Sequence, residues 1–289
     1  MEHLLKLFLF CFGAILVTGC SKNPQELDYT GLYHSPSEAI ESRFSKYMDW
    51  NASHAERVVS VPTSDYRVYF CSDIHYCEGR DALEPMLALE RADAKASFII
   101  VNGDLTDHVA GLDTVEARVG RHYDAGGDPV FYTAGNHDLF FGRWPRFFAL
   151  FGSSVYVLRV QGPDYKDLFV FLDSANGLLG KSQLKWLRQQ LEKHSGCRHI
   201  TVVTHNNLFN QDQNQGRCSI PPLDEVYELV HLMEKHGVGM CMQSHNHYPS
   251  LTNFKGIQLL VSPALQDNGY CLVDYTSDGI FNTFKKIEY

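Results

Sequence analysis

The 289 residues carry 44% hydrophobic and 20% charged side chains, enough apolar material for one or two compact domains and too much for a disordered chain. With 25 basic against 34 acidic residues the net charge is −9; no excess of positive charge exists to condense on a phosphate backbone, so stable nucleic-acid binding is not expected. The 14 histidines outnumber Trp, Met and Cys, which raises the question of whether they gather with carboxylates.

In chain order, the first feature is an apolar run of 11 residues from Leu7 to Val17, preceded by Lys6. It is short of the ~20 residues a membrane-spanning helix needs but has the length of a signal-peptide core. It ends in Val17-Thr18-Gly19-Cys20, which resembles a bacterial lipobox. Residues 1–19 are expected to be a lipoprotein signal peptide and Cys20 the lipidation site. That places the protein in the bacterial cell envelope, at the periplasmic face or the outer membrane, touching membrane through the lipid anchor only. Residues 20–34 are polar, with Pro24 and Gly31, as a tether would be. Six cysteines remain beyond the signal: Cys71, Cys77, Cys197, Cys218, Cys241 and Cys271. Their spacing is irregular and free of CxxC, so buried thiols and disulfides both stay open.

Ser35-Pro36-Ser37-Glu38 reads as a helix start with Ser at N-cap, Pro at N1 and Glu at N3. With Ile40, Phe44, Tyr47 and Met48 at helical spacing, it predicts a helix over 36–48 inside an N-terminal helical extension, 35–65. The main domain is then 66–289. Its apolar runs are 67–71, 97–101, 129–133, 168–172, 199–203, 238–242, 257–261 and 269–273. Helical patterns separate several of them, the clearest from Lys181 to His194, where Leu184, Leu187 and Leu191 share a face. Near-continuous apolar strands between helices predict buried sheets in an α/β protein. Ser277-Asp278-Gly279 reads as the turn of a final antiparallel pair.

Polar residues follow these runs in a regular way. Asp73-Ile74-His75 follows the first, Gly103-Asp104-Leu105-Thr106-Asp107 the second, and Gly135-Asn136-His137-Asp138 the third. His205 lies beyond the 199–203 run and Ser244-His245-Asn246-His247 beyond the 238–242 run. In open α/β sheets ligands bind where strand C-termini converge, so five loops deliver Asp, Asn and His to one place. Imidazole with carboxylate and amide oxygen, without thiolate, suits Mn, Fe or Zn ions. Two ions ~3.5–4 Å apart need a shared carboxylate, and Asp104 is the natural bridge. Two divalent ions would bring the net charge from −9 to −5.

The ordered set Asp73-Ile-His75, Gly103-Asp104-(x2)-Asp107, Gly135-Asn136-His137-Asp138, His205 and His245-Asn246-His247 resembles the signature of the calcineurin-like metallophosphoesterase superfamily, across roughly residues 67–265. The resemblance implies a four-layer α/β-β/α sandwich of two mixed sheets with a dinuclear site at the strand C-termini. It also implies that Asp73, His75, Asp104 and His247 hold one ion and that Asp104, Asn136, His205 and His245 hold the other. His137 corresponds to a histidine beside the metals, with Asp107 as its partner. Ser244 departs from the glycine usual before the last histidine pair. Leu172-Asp173-Ser174 and Gln183-Leu184-Lys185-Trp186-Leu187 resemble structural segments of the cyclic-nucleotide phosphodiesterase-like branch.

The expected function is a metal-dependent phosphoric ester hydrolase, phosphodiesterase or phosphatase, acting on a phosphorylated small molecule or phosphodiester. Two divalent ions would lower the pKa of a water enough to supply hydroxide near neutral pH, and His137, held by Asp107, would protonate the leaving group or stabilise the transition state. The alternative is a non-catalytic metal-binding surface lipoprotein that retains the fold; loss of ligands would favour it, and none is lost. A protein phosphatase would call for arginines flanking the metal motifs. Arg143, Trp144 and Arg146 follow the third motif and offer phosphate contacts or stacking; a core-packing helix with solvated arginines is the other expectation. The long Asn206–Pro222 loop is a candidate lid.

Overall fold

The computed structural model describes residues 39–77, 81–209 and 223–288. The expected signal peptide and tether, Cys20, the predicted Ser35 cap, Cys218 and most of the Asn206–Pro222 loop lie outside the described residues.

Among the described residues, twelve strands form two sheets. The seven-stranded sheet has the order β1-β5-β6-β7-β8-β10-β9, from β1 (Arg57–Ser60), β5 (Tyr156–Gln161), β6 (Lys166–Phe171), β7 (Ile200–Val203), β8 (Met240–Gln243), β10 (Ile257–Val261) and β9 (Ser250–Phe254). The five-stranded sheet has the order β12-β11-β2-β3-β4, from β12 (Gly279–Lys286), β11 (Gly269–Thr276), β2 (Tyr66–Cys71), β3 (Ala96–Asn102) and β4 (Val130–Thr133). Both are mixed: β2, β3 and β4 run parallel while β11 opposes β2, and β6, β7, β8 and β10 run parallel while β5 opposes β6.

Period-two alternation explains the layers. Val68 and Phe70 of β2, with Phe98 and Ile100 of β3, point between the sheets against Leu158, Phe169, Phe171, Met240 and Met242. Tyr69, Cys71, Ile99 and Val101 point the other way, onto α2 (Leu83–Arg91), α3 (Val109–Asp124) and α5 (Trp144–Phe151). Leu168, Val170, Val202 and Cys241 face α6 (Lys181–Lys193) and α7 (Leu223–Lys235), with Leu184, Leu187 and Leu191 of α6 on the buried stripe. The result is the helix, sheet, sheet, helix sandwich that the resemblance implied.

The N-terminal helix, α1, runs Ile40–Ala52 with Ala39 at its N-cap and no side-chain cap. It therefore continues four residues past the predicted end at 48. No breaker stops it there, and buried Tyr47 carries the amphipathic face onward. Residues 35–65 hold a strand besides this helix, because β1 pairs with β5 at the sheet edge. Strands β1, β9 and β12 gave no continuous apolar run, since edge strands keep alternate residues in solvent: the burial of β9 is confined to a half-buried Ser250; β5, paired on both sides, gave none because Arg159 and Gln161 interrupt its apolar pattern. The Thr276–Gly279 turn joins antiparallel β11 and β12 as expected.

Cys71, Cys77, Cys197, Cys241 and Cys271 are free thiols, three of them buried. No helix among the described residues is long and apolar enough to cross a membrane.

Candidate metal centre

Each polar motif emerges at the C-terminal end of a parallel strand. Asp73 and His75 follow β2, Asp104 and Asp107 follow β3, and α4 (Asn136–Leu139), a single turn carrying Asn136 and His137, follows β4. From the other sheet, His205 follows β7 and His245 and His247 follow β8. The two sheets thus each deliver part of one pit.

The backbone there is unusual. Asp73 (φ 51°), His75 (φ 41°), Asp104 (φ 55°), His245 (φ 73°) and His247 (φ 60°) all occupy the left-handed region. Asp and His tolerate it better than most residues, but each such conformation costs on the order of 1–3 kcal/mol and gathers where a site must be shaped. Two glycines make the approach of the loops possible. A Cβ on Gly135 would lie 2.2 Å from Asp104 Oδ1, and one on Gly103 would lie 2.6 Å from His205 Nδ1.

The predicted residues come together. Ligating atoms of Asp73, His75 and His247 lie within 4.8 Å of one another, as do those of Asp104, His205 and His245, and a third group joins His75, Asp104 and His137. Asp104 belongs to two of these groups. Its Oδ2 lies 3.3 Å from His205 Nε2 and 3.8 Å from His75 Nε2, while its Oδ1 accepts the His137 backbone N–H at 2.8 Å. Asn136 Oδ1 is 3.2 Å from His205 Nε2. Asp107 stands 2.5 Å from His137 Nδ1.

Electrostatics keep the carboxylates of the pit ionised. Burial would raise the Asp104 carboxyl, yet His205 above all, with His137 and His75, holds it far below the usual carboxylate range. Burial likewise opposes ionisation of Asp73, and His247 and His205 bring it below its ordinary value. His205 itself is raised to about 10, burial being outweighed by the Asp104 carboxylate. His245 is pushed down to about 4 by burial and by the charge on His205. Buried Asp73 Oδ1, His75 Nε2 and His245 Nδ1 have no hydrogen-bond partner. Buried polar atoms are rarely left so; these orphans, converging with an ionised carboxylate, fit divalent cations.

Neighbours fix the ligand orientations. His205 Nδ1 donates to the Asn102 carbonyl at 2.7 Å, which leaves Nε2 facing the pit. The Gln266 amide lies 3.1 Å from His247 Nδ1. Ser244, where glycine was expected, has a use for its side chain: its Oγ accepts Asn102 Nδ2–H at 2.6 Å in a fully buried setting.

Several contributors had escaped sequence reasoning. Asp138 Oδ2 accepts the backbone N–H groups of Asp104 and Gly135, both at 2.8 Å, and Oδ1 accepts that of Leu105 at 3.0 Å. It pins the Asp104 loop against the α4 turn, and burial with the Asp104 charge raises its carboxyl to about 7. Its place directly after Asn136-His137 was the available signal. Arg143, considered for phosphate contact, instead donates to the Thr106 and His137 carbonyls and is buried. Trp144 is buried and donates to Tyr47 Oη at 2.8 Å, and exposed Arg146 pairs with Asp113. α5 turns its apolar face, and Trp144 with it, into the core. Asp173 and Gln183 are structural: Arg43 Nε donates to Asp173 Oδ2 at 2.7 Å, and the Gln183 amide binds the Asp173 N–H and C=O.

Residues 66–249 match the family model of the calcineurin-like phosphoesterases, well over half of the chain. The chain belongs to that family. Its members are hydrolases of phosphoric esters that typically hold two divalent metals, and this metallophosphoesterase is a metal-dependent enzyme of the same class. Solved structures share the fold at low identity. A dimetal phosphatase from Danio rerio is 12% identical with a TM-score of 0.57, over 77% of this chain and 99% of that one. GAP50, the anchor in the inner membrane complex of Plasmodium, is 14% identical with a TM-score of 0.62, over 78% and 86%. A purple acid phosphatase from yellow lupin is 13% identical with a TM-score of 0.60, over 79% of this chain and 53% of the longer lupin protein. No curated protein matches the sequence.

Proposed function

We propose that this phosphoesterase hydrolyses a phosphodiester or phosphomonoester at a dinuclear centre in which Asp73, His75, Asp104 and His247 hold one ion and Asp104, Asn136, His205 and His245 the other, with His137 and Asp107 catalytic. The observation that carries this is the position of the Asp104 carboxylate between His75 on one side and His205 and His245 on the other, with the His137–Asp107 pair beside it. When bound, Mn, Fe or Zn ions supply an acidified water for attack and positive charge for the phosphoryl oxygens.

The chain's own groups do the rest. His137 is partly open to solvent and reaches the pit edge, where it protonates the departing oxygen; Asp107 holds its Nδ1 so that Nε2 faces the ester. Asp138 and the two glycines keep Asp104 in place during turnover. Fold likeness alone would not support catalysis, since one neighbour with the fold is described as an anchor; the complete ligand set does.

We further propose that residues 1–19 direct export and that Cys20 carries a lipid, placing the enzyme in the cell envelope. Cys20→Ala should release it from the membrane fraction; equal membrane association of both forms would refute the anchor. For the chemistry, the purified domain is assayed on aryl phosphodiesters and monoesters with each metal added. Hydrolysis is expected with at least one, and none with any metal would overturn the reading. The ratio of diester to monoester turnover assigns the substrate class.

A further inference from the structure

The two oxygens of Asp73 have different surroundings. Oδ2 accepts the Ser72 hydroxyl at 2.5 Å and, at 3.3 Å, the His245 backbone N–H. Oδ1 has no hydrogen bond and lies 3.2 Å from His247 Nε2. Something therefore decides which oxygen faces the pit, and a buried row of hydroxyls stands behind it.

Ser72 Oγ lies 2.5 Å from Ser262 Oγ, and Ser262 Oγ lies 3.4 Å from Ser244 Oγ. All three serines are fully buried. A carboxylate only accepts, so Ser72 spends its one proton on Asp73, and the short bond between the two serines must be donated by Ser262; Ser262 then has no proton left for Ser244, and their 3.4 Å approach is a contact rather than a hydrogen bond. Ser244 Oγ in turn accepts from Asn102 Nδ2, whose other hydrogen bonds are a donation to the Thr204 carbonyl at 2.8 Å and acceptance from Thr133 Oγ1 at 2.6 Å. The Asn102 amide is thus locked, and the backbone carbonyl of the same residue orients His205. The row crosses between sheets: Ser72 follows β2 and Asn102 ends β3, whereas Ser244 and Ser262 follow β8 and β10.

We propose that Ser72 and Ser262 are positioning residues for Asp73: the Ser262 hydroxyl holds Ser72 in line, and Ser72 holds Asp73 Oδ2 so that Oδ1 is left to face the pit. The inference rests on Asp73 being a metal ligand. Without the Ser262 proton, the Ser72 hydroxyl loses the donor that holds it in line. Without Ser72, only the long His245 contact remains, and the Asp73 carboxylate is released to rotate. Partners of this kind, one bond removed from the ligand, govern metal affinity by about 10–100-fold.

The test is a calorimetric Mn(II) titration of metal-free full chain, with bound metal counted, for wild type, Asp73→Asn, Ser72→Ala, Ser262→Ala and Ser262→Cys. The cysteine variant keeps the volume but is a weak donor, so the answer does not depend on the alanine variant folding. Expected is a loss of about tenfold or more in the binding step that Asp73→Asn removes, the other step holding, with the metal-free melting temperature changed little. Affinities within about twofold of wild type in a folded serine variant would overturn the inference and leave the centre standing. Equal weakening of both steps together with a fall in the metal-free melting temperature would also overturn it, as general destabilisation. If wild type takes up no metal, the reading of the centre itself falls.

Discussion

Asp107 Oδ1 lies 2.5 Å from His137 Nδ1, and the same oxygen lies 3.1 Å from His75 Nδ1. One carboxylate therefore steers both the proposed acid and a proposed metal ligand, whose rings meet edge to face 4.6 Å apart. His75 and His137 hold that carboxyl below its ordinary value against the pull of burial. His137→Gln should lower kcat by about 10²–10⁴-fold with both metals retained. Asp107→Asn should lower kcat and also weaken metal binding, because it touches His75. Kinetics beside metal analysis separates the two patterns, and metal-loaded His137→Gln at wild-type turnover would remove His137 from the mechanism.

Asp104→Asn takes away the carboxylate that stands between His75 and His205. Activity and metal content should fall together, with fewer than two ions per chain by elemental analysis. Full metal content in this variant would deny Asp104 the bridging place.

Gly135 has an ordinary φ, yet a side chain there meets Asp104 Oδ1 at 2.2 Å. Gly135→Ala should cost about 1–3 kcal/mol of stability, as overpacked sites do, and should displace Asp104. Denaturant unfolding and metal analysis check both consequences.

Arg43 and Asp173 form a fully buried pair that fastens α1 to the loop after β6, with Tyr47 Oη donating to the same carboxylate at 3.0 Å. Removing one partner strands the other charge. Arg43→Met should destabilise by about 3–5 kcal/mol, and adding Asp173→Leu should recover part of that loss. A double variant as unstable as the sum of the singles would show that the ion pair is not what the first change broke.

Glu90 sits buried beside His122, whose Nε2 is 3.6 Å from Glu90 Oε2. Burial, then Asp128, raises its carboxyl to about 8. The folded state thus binds a proton that the unfolded chain has already released above about pH 4.5. Stability from this group is full at lower pH and declines as pH rises toward 8. Glu90→Gln should flatten that decline in melting temperature, and an unchanged slope would assign it to another group.

The interior strands and the metal motifs were legible because both leave strong local marks. A strand buried on two faces is apolar throughout, and five chemistry-bearing loops at successive strand ends form an ordered signature. Edge strands such as β9 had no such mark, since solvent takes one face and pairing alone defines them. The roles of Ser72, Ser262 and Asp138 were hidden for a different reason. A serine or aspartate acquires its task from a partner some 30 to 190 residues away, and spacing along the chain carries no trace of that partner. Arg143 shows the converse: its place after the Asn136-His137 motif suggested a phosphate, but the tight turn at α4 needed a donor for two carbonyls.

The sandwich also bears on what a packing mutation means. Asp73, His75, Asp104 and Asn136 ride on one sheet, His205, His245 and His247 on the other, and the apolar layer that includes Phe70, Phe98, Phe169 and Phe171 sets how far apart and in what alignment the sheets lie. A methyl group lost or gained in that layer moves one bank of ligands against the other. Substitutions remote from any ester are then enzyme mutations as much as stability mutations, and the hydrophobic interior serves as the gauge that keeps two half-sites in register.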